Sequence, residues 1–177
     1  MSSGTVFMSS RDTEIHSGIS LPDASISAQA YLDAGAASLE LGFIQPDVLR
    51  REAGWEPDVL PDTHRIGEDR LRAFWLCLER HCNVPGYGLA IGQRIDPNTK
   101  GLLASWVSQC RTLDEALRVF TRNSLLMSSI ERFAARTEGC HLVIERFSDS
   151  RAYYPIAFPE RSLSALVAWA GYLAQQQ

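Results

Sequence analysis

Two helix starts lie close together near the middle of the chain, and they constrain the fold more than any other feature. Asp96 can cap a first helix, with Pro97 at the first helical position, where a missing N–H costs nothing. Thr112 can cap a second helix, and Glu115 three residues later completes a capping box. The link Gln109–Arg111 is so short that the two helices should pack as neighbours. Apolar residues recur at helical spacing in both helices: Leu102, Leu103, Trp106, Val107 and Cys110, then Leu113, Ala116, Leu117, Phe120 and Leu125.

Helical patterns also occupy much of the remaining chain. A helix from Pro46 to Gly54 has proline and glycine at the ends where helices favour them. A longer helix from Glu68 to Cys82 begins with acidic and ends with basic residues, which suits the helix dipole. Further helices are predicted over Ser25–Ala34 and Tyr87–Arg94, and Gly88 and Gly92 permit close backbone packing in the second of these. A final helix is predicted from Glu160 or Arg161 to Ala174. Its core stripe consists of Leu163, Leu166, Val167, Ala170 and Leu173.

A β-hairpin follows the second central helix. Ser129–Arg136 and His141–Phe147 alternate as strands do, and Glu138-Gly139 can form the turn between them. The register that matches opposite charges places Glu131 opposite Arg146 and Arg132 opposite Glu145. The same register puts four apolar side chains on one face of the hairpin: Phe133, Ala135, Leu142 and Ile144.

Together these patterns predict a single α+β domain, mainly helical and packed on a small antiparallel sheet. We expect residues 1–20, rich in Ser, Thr and Gly, to form a mobile arm, and residues 21–177 to form the domain. The net charge of -4 argues against a surface dominated by nucleic-acid binding. The chain shows neither a membrane-length apolar run nor a secretory signal, and its four cysteines form no Cys-x-x-Cys pair. We therefore expect a cytoplasmic protein with reduced thiols.

The order of motifs in the central stretch resembles that of a known family. Gly101-Leu102-Leu103 opens the first helix, and Thr112-Leu113 leads into Glu115-Ala116-Leu117-Arg118 in the second. Gly42-Phe43 and the stretch from Gly88 to Gly92 precede them in the expected order. The series resembles the N-terminal, arabinose-binding-like, effector-sensing domain of AraC-type transcriptional regulators, and it covers roughly Ser27 to Gln177.

The resemblance implies a particular function. It implies a domain that senses a small-molecule effector, forms a homodimer and signals to a C-terminal domain with two helix-turn-helix units. That DNA-binding domain would follow this chain, so DNA would be bound only by the full-length regulator. The resemblance does not identify the effector. A ligand-free dimerisation module and, less favoured, a small enzyme remain the alternatives.

Residues typical of catalysis or metal binding form no complete set in the sequence. Cys77 and His81 are four apart on one helix, with Cys82 beside them, so they share a side that could hold a metal. A site needs three or four ligands, and no neighbouring segment evidently supplies the others. Serine-hydrolase elbows, zinc-protease pairs and phosphate-binding loops are absent from the sequence. We therefore expect no catalytic residue, no metal and no cofactor.

Residues that could bind an effector cluster around the hairpin. Arg146 is a rigid two-pronged donor suited to a carboxylate and shares a face with the apolar floor, although Glu131 could neutralise it instead. Tyr153 and Tyr154 lie in an irregular segment, where binding residues are common, but they could equally be surface residues. The predicted ligand-binding residues are Trp106, Phe120, Arg146, Tyr153 and Tyr154, and the predicted ligand is a small polar molecule, with a carboxylate favoured.

Overall fold

The computed structural model describes residues 24–57, 65–94 and 102–175, and most of these residues are helical. The helices are α1 (Ala28–Glu40), α2 (Pro46–Ala53), α3 (Glu68–His81), α4 (Tyr87–Gly92), α5 (Leu102–Ser108), α6 (Leu113–Asn123) and α7 (Ala157–Gln175). The strands are β1 (Ser25–Ser27), β2 (Arg65–Gly67), β3 (Glu131–Glu138) and β4 (His141–Ser148). The predicted mainly helical α+β class is confirmed, with two small antiparallel sheets, β1–β2 and β3–β4, in place of one.

Several predicted helices are confirmed together with the residues that end them. Pro46 occupies the first turn of α2, and Gly54 stops that helix with a φ of 61°, a left-handed conformation that favours glycine. Helix α3 carries acidic residues in its first turn and basic residues in its last. The predicted arm and the predicted Asp96–Pro97 start lie outside the described residues. None of the described helices is both long enough and apolar enough to cross a bilayer.

The capping box at the start of α6 is present in a modified form. The Thr112 side-chain oxygen accepts a hydrogen bond from the Glu115 backbone N–H at 3.2 Å, as predicted. The Glu115 carboxylate reaches back to the backbone N–H of Arg111, at 2.9 Å, instead of that of Thr112. Both bonds satisfy backbone donors near the helix start, and α5 and α6 pack as the predicted neighbours around a shared apolar cluster.

The helix predicted over Ser25–Ala34 was wrong at its start. Ser25–Ser27 is strand β1, which pairs with β2 so that Ile26 faces Ile66, and the helix runs on to Glu40. Distant backbone groups stabilise the strand, because the Ser27 N–H donates to the Met127 carbonyl at 2.6 Å. Local helix propensity gives way here to tertiary hydrogen bonds that a sequence pattern does not show.

The register predicted for the β3–β4 hairpin was wrong by two residues. Glu138 faces His141, and the turn residues are Gly139 and Cys140. Gly139 has a φ of 61° at the first of the two turn positions, where tight hairpins of one class require glycine. A shift of two preserves both faces of each strand, so Phe133, Ala135, Leu142 and Ile144 still share one face.

The charge pairs that defined that register are therefore rearranged. Glu131 faces Ser148 and Arg132 faces Phe147 in the ladder. Glu131 and Arg146 form an ion pair nevertheless, along the diagonal of their common face. Arg132 instead binds Asp149, with nitrogen–oxygen distances of 2.5 and 2.6 Å, and Glu145 pairs with Arg136.

Two apolar clusters form the core, and α7 contributes to both. The first cluster lies among α1–α4, β1 and β2, and it receives Ala157 and Phe158 from the first turn of α7. The second lies among α5, α6 and the inner face of the hairpin, and it receives Leu166 and Leu173 from further along α7. The core stripe predicted for α7 is partly wrong, because Val167 is 67% exposed whereas Arg161 is buried.

Helices α4 and α7 approach closely through glycine, as predicted. A Cβ atom on Gly88 would lie 2.3 Å from the Ala157 carbonyl oxygen, and one on Gly92 would lie 2.5 Å from the Arg161 carbonyl oxygen. Both contacts are with backbone, which cannot swing aside as a side chain can. This contact fixes the first turns of α7, and with them the segment that bridges the two clusters.

Replacing Gly88 with alanine should therefore destabilise the domain. We expect Gly88→Ala to lower the free energy of unfolding by about 1–3 kcal/mol through overpacking, measured by urea titration. The matched control is Gly171→Ala in α7, where a Cβ would meet nothing within 4 Å. That variant should be neutral or gain up to about 1 kcal/mol from helix propensity. Equal stability of the two variants would contradict the proposed close contact.

Candidate functional site

A buried ion pair lies where the two apolar clusters meet. The Arg146 side chain is 11% exposed and the Glu131 side chain 4% exposed, and the Arg146 Nε donates to a Glu131 carboxylate oxygen. The two residues lie on adjacent strands, on the hairpin face that packs inward. The bond uses one of the five N–H donors of the guanidinium group, so further donors remain for another partner.

An aromatic chain leads from this ion pair into the first cluster. The Arg146 guanidinium carbon lies 5.0 Å from the centroid of the Phe158 ring, which is a cation–π distance. The Phe158 ring lies 4.6 Å from Tyr154 and 5.6 Å from Trp75, centroid to centroid. From Trp75 the chain continues through Phe74 at 5.2 Å to Tyr31 at a further 5.3 Å. Displacement of Arg146 would therefore change the packing of aromatic rings in the first cluster.

Tyr154 brings a hydroxyl group to the edge of the junction. Its hydroxyl donates to the Glu68 carboxylate at 3.3 Å, and the Ser150 hydroxyl donates to the same oxygen. Burial raises the pKa of Tyr154 well above its usual value, and the nearby Glu68 charge adds to this effect. The phenol therefore stays protonated at neutral pH and acts as a hydrogen-bond donor.

Arg161 is a second buried cation near the junction, and sequence reasoning missed it. One of its terminal nitrogens donates to the Ala30 carbonyl at 3.1 Å, which ties α7 to α1. Burial lowers the pKa of Arg161, while the charges of Glu131 and Asp33 oppose that shift. The sequence contained a signal, because Arg161 lies three residues after Phe158 and four before Ala165, in line with the buried face of α7.

The five residues predicted to bind a ligand fall into two groups. Arg146 and Tyr154 both lie against Phe158. Phe120 is linked to them through Phe133, whose ring is 5.2 Å from that of Phe120 and which faces Arg146 in the ladder. Trp106 is 42% exposed on α5, and Tyr153 is 60% exposed. The Tyr153 hydroxyl donates to Glu79, 3.0 Å away on α3, so its hydrogen bond is with that helix.

The outer face of the hairpin borders a separate open groove of about 280 Å³, next to the end of α6. The groove is lined by Thr121, Arg122, Ser124, Leu125, Arg132, Phe133, Ala134 and Phe147. It shares Phe133 with the inner face but does not include Arg146 or Tyr154. Its lining therefore differs from the residues that sequence reasoning singled out.

Within the described ranges, one group of three side chains combines ligand types that metals favour. Glu52 of α2 meets Cys77 and His81 of α3, and their potential ligand atoms lie within 4.8 Å of one another. Sequence reasoning paired Cys77 with His81 but found no third ligand. Glu52 lies 25 residues before Cys77, and only the packing of α2 on α3 brings it close.

Comparison with known families now identifies the class of this domain. The model of the family described as the arabinose-binding domain of AraC transcription regulators, N-terminal, matches residues 44–177. The chain belongs to this family, as its motif order had indicated. The family comprises ligand-binding domains of regulators and is not an enzyme family. A comparison with curated proteins gave no match.

Neutralising Glu131 should destabilise the domain strongly. Glu131→Gln removes the carboxylate that pairs with Arg146 and whose charge also favours the charged form of Arg161, and breaking a buried pair in this way costs about 3–5 kcal/mol. The free energy of unfolding from urea titration gives the measurement. Asp149→Asn, which breaks the exposed pair with Arg132, is the control and should have a much smaller effect. A Glu131→Gln variant as stable as the control would mean that the junction is not held by this pair.

Proposed function

We propose that this domain senses a small polar effector carrying a carboxylate, and that the effector binds at the junction of the two clusters. In the proposal the domain has no catalytic role and acts in the cytoplasm as part of a transcriptional regulator. Membership of the family supports a regulatory ligand-binding role. The choice of site rests on one observation, the nearly buried Arg146. Arg146 pairs with Glu131 and lies over the ring of Phe158, which in turn contacts Tyr154.

A carboxylate suits this site because Arg146 already binds one. The Glu131–Arg146 pair shows that the local geometry accommodates a carboxylate against the guanidinium group. An effector carboxylate would compete with Glu131 for Arg146, while the charge of Arg161 would still compensate the displaced Glu131. The Tyr154 hydroxyl, which donates its proton to Glu68, would accept a hydrogen bond from an N–H or O–H group of the effector. Phe120 and Phe133 would form the apolar floor. Trp106 and Tyr153 are exposed, and Tyr153 binds Glu79 of α3, so the proposal gives neither a direct role.

Competition between Glu131 and the effector carboxylate for Arg146 would give the domain two states. In the free state Arg146 binds Glu131 and joins strand β4 to β3, and in the bound state Arg146 binds the effector. Because Arg146 packs on Phe158 in the first turn of α7, the exchange would change how α7 and the hairpin pack. An effector can shift this equilibrium only by its differential affinity for the two states.

In the full regulator the shift would reach a C-terminal helix-turn-helix domain. The proposal includes a homodimer, so that one binding event positions two DNA-binding domains. Val167, an apolar residue of α7 that is 67% exposed, supports a contact on that helix. Sedimentation of the 177-residue chain should give twice the monomer mass, and a monomer at high concentration would count against this element.

Substitutions of Arg146 and Glu131 should change the affinity for the effector in opposite directions, which separates the roles of the two residues. A thermal-shift screen of amino acids, small carboxylic acids and sugars identifies a probe, because a ligand of the folded state raises its melting temperature. With the best carboxylate from that screen, calorimetry should show at least about tenfold weaker binding to Arg146→Gln. Glu131→Gln should bind several-fold more tightly where it remains folded, because the competitor is gone.

Two variants make this test specific. Tyr154→Phe keeps the ring and removes only the hydroxyl, and it should weaken binding by about fivefold to tenfold, the value of one hydrogen bond. Arg132→Gln removes an arginine of the same hairpin whose partner is Asp149, and it should leave the affinity unchanged. Unchanged binding by Arg146→Gln and Tyr154→Phe, or a sugar as the sole ligand, would overturn the proposed site.

A further inference from the structure

Helices α2 and α3 bring together three side chains that the effector site does not use. Cys77 and His81 are one turn apart on α3, and Glu52 approaches them from the last turn of α2. The Glu52 Oε2 lies 3.0 Å from the His81 Nε2, and the potential ligand atoms of all three residues lie within 4.8 Å of one another.

The chemistry of this group is that of a zinc site. A thiolate, an imidazole and a carboxylate are the three ligand types that Zn²⁺ combines in proteins, and three such ligands plus water complete a tetrahedral shell. In that shell neighbouring ligand atoms are about 3.5 Å apart, given metal–ligand distances of about 2.0–2.3 Å. The observed separations, 3.0 Å between Glu52 Oε2 and His81 Nε2 and no more than 4.8 Å within the group, lie on both sides of this value.

Burial around the group is graded in a way that suits an ion entering from solvent. Cys77 is fully buried on the core side, whereas the side chains of His81 and Glu52 are 38% and 26% exposed. The thiol would form the inner wall of the site, and the open side would admit the ion and its water ligand. The core around α3 fixes the position of Cys77, because Phe74, Trp75 and Leu78 of the same helix are also buried.

We propose that Glu52, Cys77 and His81 form a binding site for Zn²⁺ or a divalent ion of similar softness at the contact between α2 and α3. This site goes beyond the proposed effector function and shares no residue with it. On binding, the Cys77 thiol loses its proton to solvent, and the thiolate, the His81 nitrogen and a Glu52 oxygen bond to the metal. The ion would tie α2 to α3.

Two arginines hold the Glu52 carboxylate in the metal-free arrangement. The Arg51 and Arg80 terminal nitrogens lie 3.4 and 3.2 Å from its oxygens. Both side chains are well exposed, 64% and 60% respectively, so they can turn into solvent when a metal takes the carboxylate. Their charges oppose a cation and lower its affinity, which makes Arg80 a useful position for the test.

Cobalt provides the direct measurement, because Co²⁺ bound to a thiolate in a tetrahedral site absorbs visible light and gives a sulfur-to-metal charge-transfer band. The chelator-treated 177-residue chain is titrated with Co²⁺ and then with Zn²⁺, which should displace it. We expect one Co²⁺ per chain with the charge-transfer band. Cys77→Ser should lose the band. His81→Gln and Glu52→Gln each remove a direct metal ligand, and each should weaken Co²⁺ binding by more than about 10-fold.

Control variants distinguish this site from other cysteines and histidines. Cys140→Ser removes the exposed cysteine next to His141 at the hairpin turn and should keep the band. Arg80→Gln should tighten binding by roughly threefold to tenfold, because one repelling charge is removed. His81→Gln, at a partly exposed position, serves where Cys77→Ser does not fold. A band lost in Cys140→Ser but kept in His81→Gln, or no stoichiometric Co²⁺ binding, would overturn the proposal.

Discussion

The buried contact between Glu131 and Arg146 is the interaction on which the rest of the described structure depends. A hairpin of two strands is marginally stable alone, and the inner face of β3 and β4 gains support by packing on α6 and α7. The ion pair occupies this face at the border of the two clusters. Loss of Glu131 removes the charge that compensates both Arg146 and Arg161, in a medium that solvates charges poorly.

This dependence suits the proposed role as an effector sensor. Each apolar cluster is held by many contacts, whereas the border between them depends on a few polar residues and on α7, whose first turn is fixed against α4 by backbone contact at Gly88 and Gly92. A ligand that exchanges with one polar partner can therefore change the relation between two firm units without unfolding either. The aromatic chain from Phe158 to Tyr31 gives that change a packed route into the first cluster.

Local features of the sequence predicted local structure well. The Thr112 cap, the Gly54 stop and the charge order of α3 depend on groups within a few residues of one another, and each is present. The prediction was wrong where distant groups decide, as at β1, whose partners lie on β2 and near Ser128. The hairpin register was predicted wrongly for a different reason. The prediction relied on matching opposite charges, whereas the observed register follows from the turn, in which Gly139 takes a positive φ. Glu52 lies near Cys77 and His81 only because α2 packs on α3, which no local pattern shows.

A double-mutant cycle at Glu131 and Arg146 tests the central claim most directly. The free energies of unfolding of Glu131→Gln, Arg146→Gln and the double variant are compared with that of the parent chain by urea titration. If the pair holds the junction, the double variant should lose much less stability than the sum of the single variants, with a coupling energy above about 1 kcal/mol. Additivity to within about 0.5 kcal/mol would show that the two residues act independently, and would contradict the account.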